Sequence, residues 1–226
     1  MSVNNLGVLL QIQGKLSLAE PLLRRYLEGC ERVYGPDDPQ TLTAFGNKGM
    51  LLKEQGKLDL AEPFFRRDLE GCERVHGRDH PHTLSAVSNM GWLLLAQDKL
   101  DLAEPFLLRD LEGCERVHGR EHPRTLQSLN NMGMLLYKQG KLDLAEPFYR
   151  REIEVCERTL GRDHTKTLAA ASKLGGVLHR QGKLKEAEPF YRHALEGWER
   201  TLGRDHPNTL SAVSNLKFLE MRGKEK

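Results

Sequence analysis

Long apolar runs are missing from this chain of 226 residues. None approaches the roughly 20 residues that cross a bilayer, so no membrane partner is expected. Aromatic residues make up 6%, too few for the base-stacking platforms of single-strand nucleic-acid binders. The formal net charge of +2 is too small to draw a polyanion by itself, and no nucleic-acid partner is expected. The first residues, MSVNNLGVLLQIQG, lack the charged and cleavage regions of a secretory signal. No stretch alternates apolar and polar residues with β-branched enrichment, which argues against strands. Enzyme signatures are missing as well: there is no GxSxG, no HExxH and no phosphate-cradling glycine loop. No catalytic residue, no cofactor and no metal site is therefore expected.

Cysteines are few, and their placement is informative. Cys30, Cys72, Cys114 and Cys156 fall 42 residues apart, and Trp198 holds the same register one period later. A fixed period of this size is the signature of stacked supersecondary units. Equivalent residues in such a stack sit about a helix diameter apart, roughly 10 Å. A disulfide needs Cα atoms within about 7 Å, so four free thiols are predicted. An indole in the register suits a buried apolar position and not a metal ligand. A reducing, cytoplasmic compartment fits.

The period organises everything else. Residues 58–97, LDLAEPFFRRDLEGCERVHGRDHPHTLSAVSNMGWLLLAQ, return one period later with few changes. Five units are expected at 1–40, 41–82, 83–124, 125–166 and 167–208, followed by a capping helix at 209–222. They make a single array over 1–226 with no linker. Each unit reads as a short helix A and a longer helix B, about 11 helices in all. Pro81 suits the first position of helix A, with Asp79 or His80 as its cap. Gly56, Gly140 and Gly182 end helix A through positive φ, with Asp98 in their place once, and Gly77, Gly119, Gly161 and Gly203 end helix B. The histidines at His80, His122, His164 and His206 form one loop register, which favours turn and cap chemistry over metal binding.

Helix A carries glycine in mid-helix at Gly7, Gly49, Gly91, Gly133 and Gly175. Glycine there costs about 1 kcal/mol against alanine, so close approach to the unit's own helix B is expected. The final helix has Lys217 in that register and Glu220 in the next apolar one, as a capping helix would. In helix B, Ala103, Leu107 and Leu111 form the packing stripe. Arg109, Asp110, Glu112, Glu115 and Arg116 read as a solvated face with pairs such as Glu112 and Arg116 at i, i+4.

These residues resemble the tetratricopeptide repeat. The fourth copy has Leu129, Met132-Gly133, Leu136, Ala145 and Tyr149 at the family's positions, and the fifth has Leu174-Gly175, Leu178, Ala187 and Tyr191. With a 42-residue period and the strings AEPFYRR, ERTLGRDHP and NNMG, the chain is similar to kinesin light chain and nephrocystin-type arrays. The resemblance implies an all-α solenoid, a right-handed superhelix of antiparallel helix pairs, with a concave groove lined by the second face of helix A. Two departures stand out. The heptads of the kinesin light chain coiled coil are missing, and Asp68, Asp110 and Glu152 replace an alanine of helix B that only Ala194 retains.

That second face varies from copy to copy while the scaffold registers barely change. It suggests a non-catalytic scaffold that binds an extended protein or peptide segment. One register holds Asn5, Asn47, Asn89, Asn131 and Asn215. Two roles fit these amides: bonds to neighbouring helices, or a grip on a ligand backbone through donor and acceptor together, as the resemblance to kinesin light chains implies. Met50, Trp92 and Met134 stand beside them with Tyr137, and Lys138 and Arg180 add positive charge, joined by Lys173 and Arg222. The candidate site is therefore Asn47, Met50, Asn89, Trp92, Asn131, Met134, Tyr137, Lys138 and Arg180, matched to an apolar anchor with acidic flanks. The alternative is a structural arm that self-associates through the array ends or its convex face.

Overall fold

The computed structural model describes residues 2–223. The side chains of Glu220 and Arg222 and the basic tail at 224–226 lie outside the described residues. Eleven helices and no strand are found among those described. Contacts divide the chain into two compact units. The first, residues 1–117, holds α1 (Val3–Ile12), α2 (Leu16–Tyr34), α3 (Pro39–Glu54), α4 (Leu58–His76), α5 (Pro81–Ala96) and α6 (Leu100–His118), the last residue of α6 falling just past the division. The second, from residue 118, holds α7 (Pro123–Lys138), α8 (Leu142–Leu160), α9 (Thr165–Arg180), α10 (Leu184–Leu202) and α11 (Pro207–Gly223). The last of these helices thus starts at its proline, two residues before the expected 209. Within each unit, helices that follow one another in sequence pack together.

The helix boundaries follow from local chemistry. Pro39, Pro81 and Pro123 occupy the first turn of their helices, where a missing N–H leaves nothing unpaired. The residue before each is the cap: Asp38 accepts from the Gln40 amide at 2.8 Å, and the His80 and His122 rings accept through Nδ1 at 3.2 Å. Between the two caps considered for α5, the structure chooses His80, and Asp79 pairs with Arg116 at 2.6 Å instead. Thr83, Thr125, Thr167 and Thr209 tie α5, α7, α9 and α11 to the glycine that ends the preceding helix B, donating to carbonyls at 2.7–2.8 Å. Asp98 adopts φ 59° where Gly56, Gly140 and Gly182 stand in other copies, and the aspartate side chain tolerates that conformation better than most.

The mid-helix glycines answer to close packing inside each pair. A Cβ on Gly91 would meet Leu107 at 2.7 Å, and one on Gly133 would meet Tyr149 at 2.9 Å. Glycines on helix B do the same in return, Gly113 lying under Leu84. Ala103, Leu107 and Leu111 are buried as expected, and all four cysteines are buried free thiols.

Helix B differs from the expectation in its charges. Arg109 reaches back to Glu73 at 2.5 Å and to the Arg78 carbonyl at 3.1 Å, while Arg116 bridges to Asp79. Arg74 with Asp37 and Arg158 with Glu121 repeat this, at 2.6 and 2.5 Å. These arginines link neighbouring periods, and the expected i, i+4 pairs are present beside them, as in Arg158 with Glu154 at 3.7 Å and Arg66 with Glu62 at 2.9 Å. Asp110 is no part of a solvated face: it is 1% exposed, and Asp68 and Glu152 in its register are each 7% exposed.

Candidate functional site

In the N-terminal unit, α3, α4 and α5 enclose a cavity of about 200 Å³. Its walls include Asn47 and Met50 from α3 and Asn89 from α5, three of the residues singled out by sequence. Asn47 donates from Nδ2 to Asn4 Oδ1 at 2.9 Å, so its own carbonyl oxygen remains an acceptor. The residues that sequence reasoning missed come from α4: Asp68, Cys72 and His76, with His82 completing the rim. Burial pushes the Asp68 carboxyl up to about 6, opposed by a thiol contact from Cys72 at 3.4 Å. The same burial, with Asp68 beside it, pushes the Cys72 thiol up to about 12, so it carries no charge at neutral pH. His76, stacked with His80 at 4.5 Å between ring centres, is held below the ordinary histidine range by burial and by His80 and His82. Among the described residues, no three His, Cys, Asp or Glu side chains converge as metal ligands would.

Trp92 is in the same unit but does not line this cavity. The ammonium of Lys53 sits 4.0 Å from its ring centre, a cation–π contact that covers one face. Burial lowers the pKa of Lys53. This pairing with Trp92 spans two helices, α3 and α5, and is invisible in either sequence copy alone.

The C-terminal unit holds a larger cavity of about 490 Å³, walled by α7 to α11. Met134, Tyr137 and Lys138 line it, as the sequence suggested, together with Tyr149 and Tyr191 from the helices B and Lys173 from α9. Arg180 flanks it: its guanidinium donates to the Tyr137 carbonyl at 3.0 Å and lies 4.4 Å from the Tyr137 ring centre. Lys173 donates to Asn130 Oδ1 at 2.5 Å and comes within 3.9 Å of Glu152 Oε1. Burial raises the pKa of Glu152 while Lys173 and Lys166 oppose it, and its Oε2 has no hydrogen-bond partner among the described residues. Asn131 departs from Asn47 and Asn89 of its register. It is 2% exposed, accepts from Gln127 Nε2 at 3.1 Å, and lines neither cavity.

The signal for the missed acids was in the sequence as the departure from alanine in helix B. Tyr149 and Tyr191 were visible only as scaffold aromatics. Their rings pack over Gly133 and Gly175, while another edge of each faces the cavity.

Comparison with known proteins bears on the fold. The tetratricopeptide repeat model matches at 1–70, 44–109, 94–158, 127–197 and 166–223, together nearly the whole chain. Among curated proteins there is no significant match in sequence. BtubC (BKLC) from P. vanneervenii superposes with a TM-score of 0.77 at 21% identity, over 91% of this chain and 81% of that one. A kinesin light chain-like array of nearly identical TPR-like repeats from Podosopora anserina gives 0.77 at 17% identity, over 89% and 95%. YrrB, a TPR protein with an unusual peptide-binding site, gives 0.59 at 18% identity, over 94% and 90%. With its 42-residue period, consecutive helix pairs and glycine-mediated packing, the chain belongs to the tetratricopeptide repeat family and shares the fold of its kinesin light chain-like arrays.

Proposed function

We propose that this protein is a non-catalytic scaffold that binds an extended segment of a protein partner, an apolar anchor with acidic flanks, at the C-terminal unit. The observation that carries this reading is the 490 Å³ cavity. Met134, Tyr137, Tyr149 and Tyr191 offer it an apolar, aromatic wall, and Lys138 and Arg180 stand at its exposed edge. A concave, mostly apolar site with a few placed polar groups is what small anchors seek. The flanking cations act through solvent, where a charge pair contributes about 1 kcal/mol or less, so they set orientation and salt dependence more than affinity. YrrB, of the same fold, is described by its peptide-binding site. The test is fluorescence anisotropy with acidic peptides carrying Trp, Leu or Phe. Tyr137→Ala is expected to weaken binding about tenfold, and Lys138→Glu to weaken it mainly at low salt. Binding that ignores both substitutions places the partner surface elsewhere.

A second reading, self-association through the first helix, has one observation in its favour. Val3, Leu6, Leu9 and Ile12 of α1 are all exposed, Ile12 at 78%. A monomer by sedimentation at high concentration, unchanged by Leu6→Lys, would remove it.

A further inference from the structure

The acid register of helix B behaves differently in the two units, and the difference points to a second recognition element. In the C-terminal unit, Glu152 is met by an ammonium from this same chain, that of Lys173. Two periods earlier the equivalents are Asp68 and Asn89. Asp68 is as buried as Glu152, yet the Cys72 thiol is its one hydrogen-bond partner among the described residues. Its Oδ2 points at Gly46, where a Cβ would come within 2.9 Å. Other copies carry Ser88, Ser172 and Ser214 in that register. The missing side chain at Gly46 leaves the carboxylate open to a cavity that Asn47 and Asn89 also line.

We propose that this cavity receives a lysine side chain of a bound segment, its ammonium seated between Asp68 Oδ2 and the carbonyl oxygens of Asn47 and Asn89. An ammonium offers three donors and no acceptor, and here meets one carboxylate and two amides. The cavity's 200 Å³ suits one long unbranched side chain and no folded element. The chain already places an ammonium against this register at Glu152. No Lys or Arg of α3, α4 or α5 lines the cavity, so the incoming charge meets no competitor. The titratable groups that face it are Asp68, Cys72 and His76 from α4 and His82 from α5, with only neutral Thr43 and Asn47 among the polar residues of α3. Binding therefore strengthens as pH rises through about 6, as Asp68 ionises, and weakens below it, where Asp68 is protonated. The proposal rests on the peptide-binding reading above and adds recognition of a basic residue at the N-terminal unit.

The experiment selects binders from a random peptide library, then measures each by anisotropy with its lysine intact and N-acetylated. The wild-type protein is expected to select peptides with one fixed lysine, and acetylation to weaken them about tenfold. Against Asp68→Asn the same acetylation is expected to change affinity less than about twofold. Asp68→Ala serves as a second variant, since Ala194 already occupies this register fully buried. Gly46→Ser, the residue of three other copies, is expected to close the opening and remove the lysine preference with the fold kept. Selected peptides that lack a basic preference but still respond to Tyr137→Ala would overturn this proposal and leave the C-terminal site standing. Failure to select any binder, or binders indifferent to every substitution, would overturn both.

Discussion

In the N-terminal unit Asp68 lies buried beside a thiol, and two periods on, in the C-terminal unit, Glu152 lies equally buried within 3.9 Å of Lys173. The backbone setting is the same: each acid follows a helix-packing aromatic by three residues, Phe65 or Tyr149, and precedes a buried cysteine by four. What differs is one neighbouring register, asparagine in one place and lysine in the other. A repeat scaffold therefore sets the depth of a side chain, while the variable face decides whether its charge is met. Burial alone opposes the ionised form of a carboxyl, and both acids have raised pKa values for that reason. Only Glu152 has a cation opposing the shift.

The largest expected effect tests the unmatched acid. The Asp68 pKa stands at about 6 in the fold, against roughly 3.9 for an unfolded aspartate. The folded chain holds this proton more tightly, so its contribution is fully favourable below about pH 4 and is lost as pH rises through about 6. At pH near 8 the ionised group costs the fold about 3 kcal/mol. Asp68→Asn is expected to raise stability by that order at pH near 8, and by little near pH 4. Urea unfolding at both pH values reads it. Equal shifts at the two pH values would mean that the carboxyl is not buried as described.

Much of this molecule was legible in its sequence. The period placed the helix pairs, and glycine recurring at one register from Gly7 to Gly175 announced the close packing of each pair. The capping histidines and terminal glycines followed from turn chemistry. The candidate site was legible in part, because spacing identifies a face and not what covers it. Met134, Tyr137 and Lys138 do share a cavity. Asn131 does not reach it, and Lys53 covers a face of Trp92 from another helix. Asp68 and Asp110 were the hardest to see. In the string RRDLE or LRDLE an aspartate among charges looks solvated, and only its depth in the helix pair makes it buried. Substitution of a family alanine was the one clue, and it says small and internal rather than acidic and internal.

An intermediate effect is expected from removing the cation in the other unit. Lys173→Ala strands Glu152, whose Oε2 already lacks a hydrogen bond, and also breaks the contact with Asn130. Lys173 keeps 40% of its side chain exposed, so solvent screens part of the interaction, and the loss is expected to be about 1 kcal/mol at neutral pH. In a Glu152→Gln background the same substitution should cost little, because no ionised acid remains to be stranded. The cycle of four proteins, followed by chemical unfolding, isolates the pair from the packing of the lysine stem. A loss of equal size in both backgrounds would assign the effect to the stem.

The smallest effect comes from converting one unit into the other. Asn89→Lys installs in the N-terminal unit the residue that the C-terminal unit carries at Lys173. Asn89 is half-buried on α5 and lines the cavity that Asp68 opens into. Lysine favours a helix interior more than asparagine does, and its stem can follow the cavity wall while the ammonium reaches inward. Aspartate is one methylene shorter than glutamate, so the ammonium stands farther from the carboxylate than in the C-terminal unit. The gain in stability is therefore expected to be about 0.5 kcal/mol at neutral pH. The clearer reading is the Asp68 carboxyl itself, followed by carbon NMR through a pH titration: its midpoint, at about 6 in the parent chain, is expected to fall. The stability gain should also fade as pH drops and the acid protonates in either protein. An unmoved midpoint would mean that the lysine turns to solvent, and that the variable register and the acid register of this unit do not communicate.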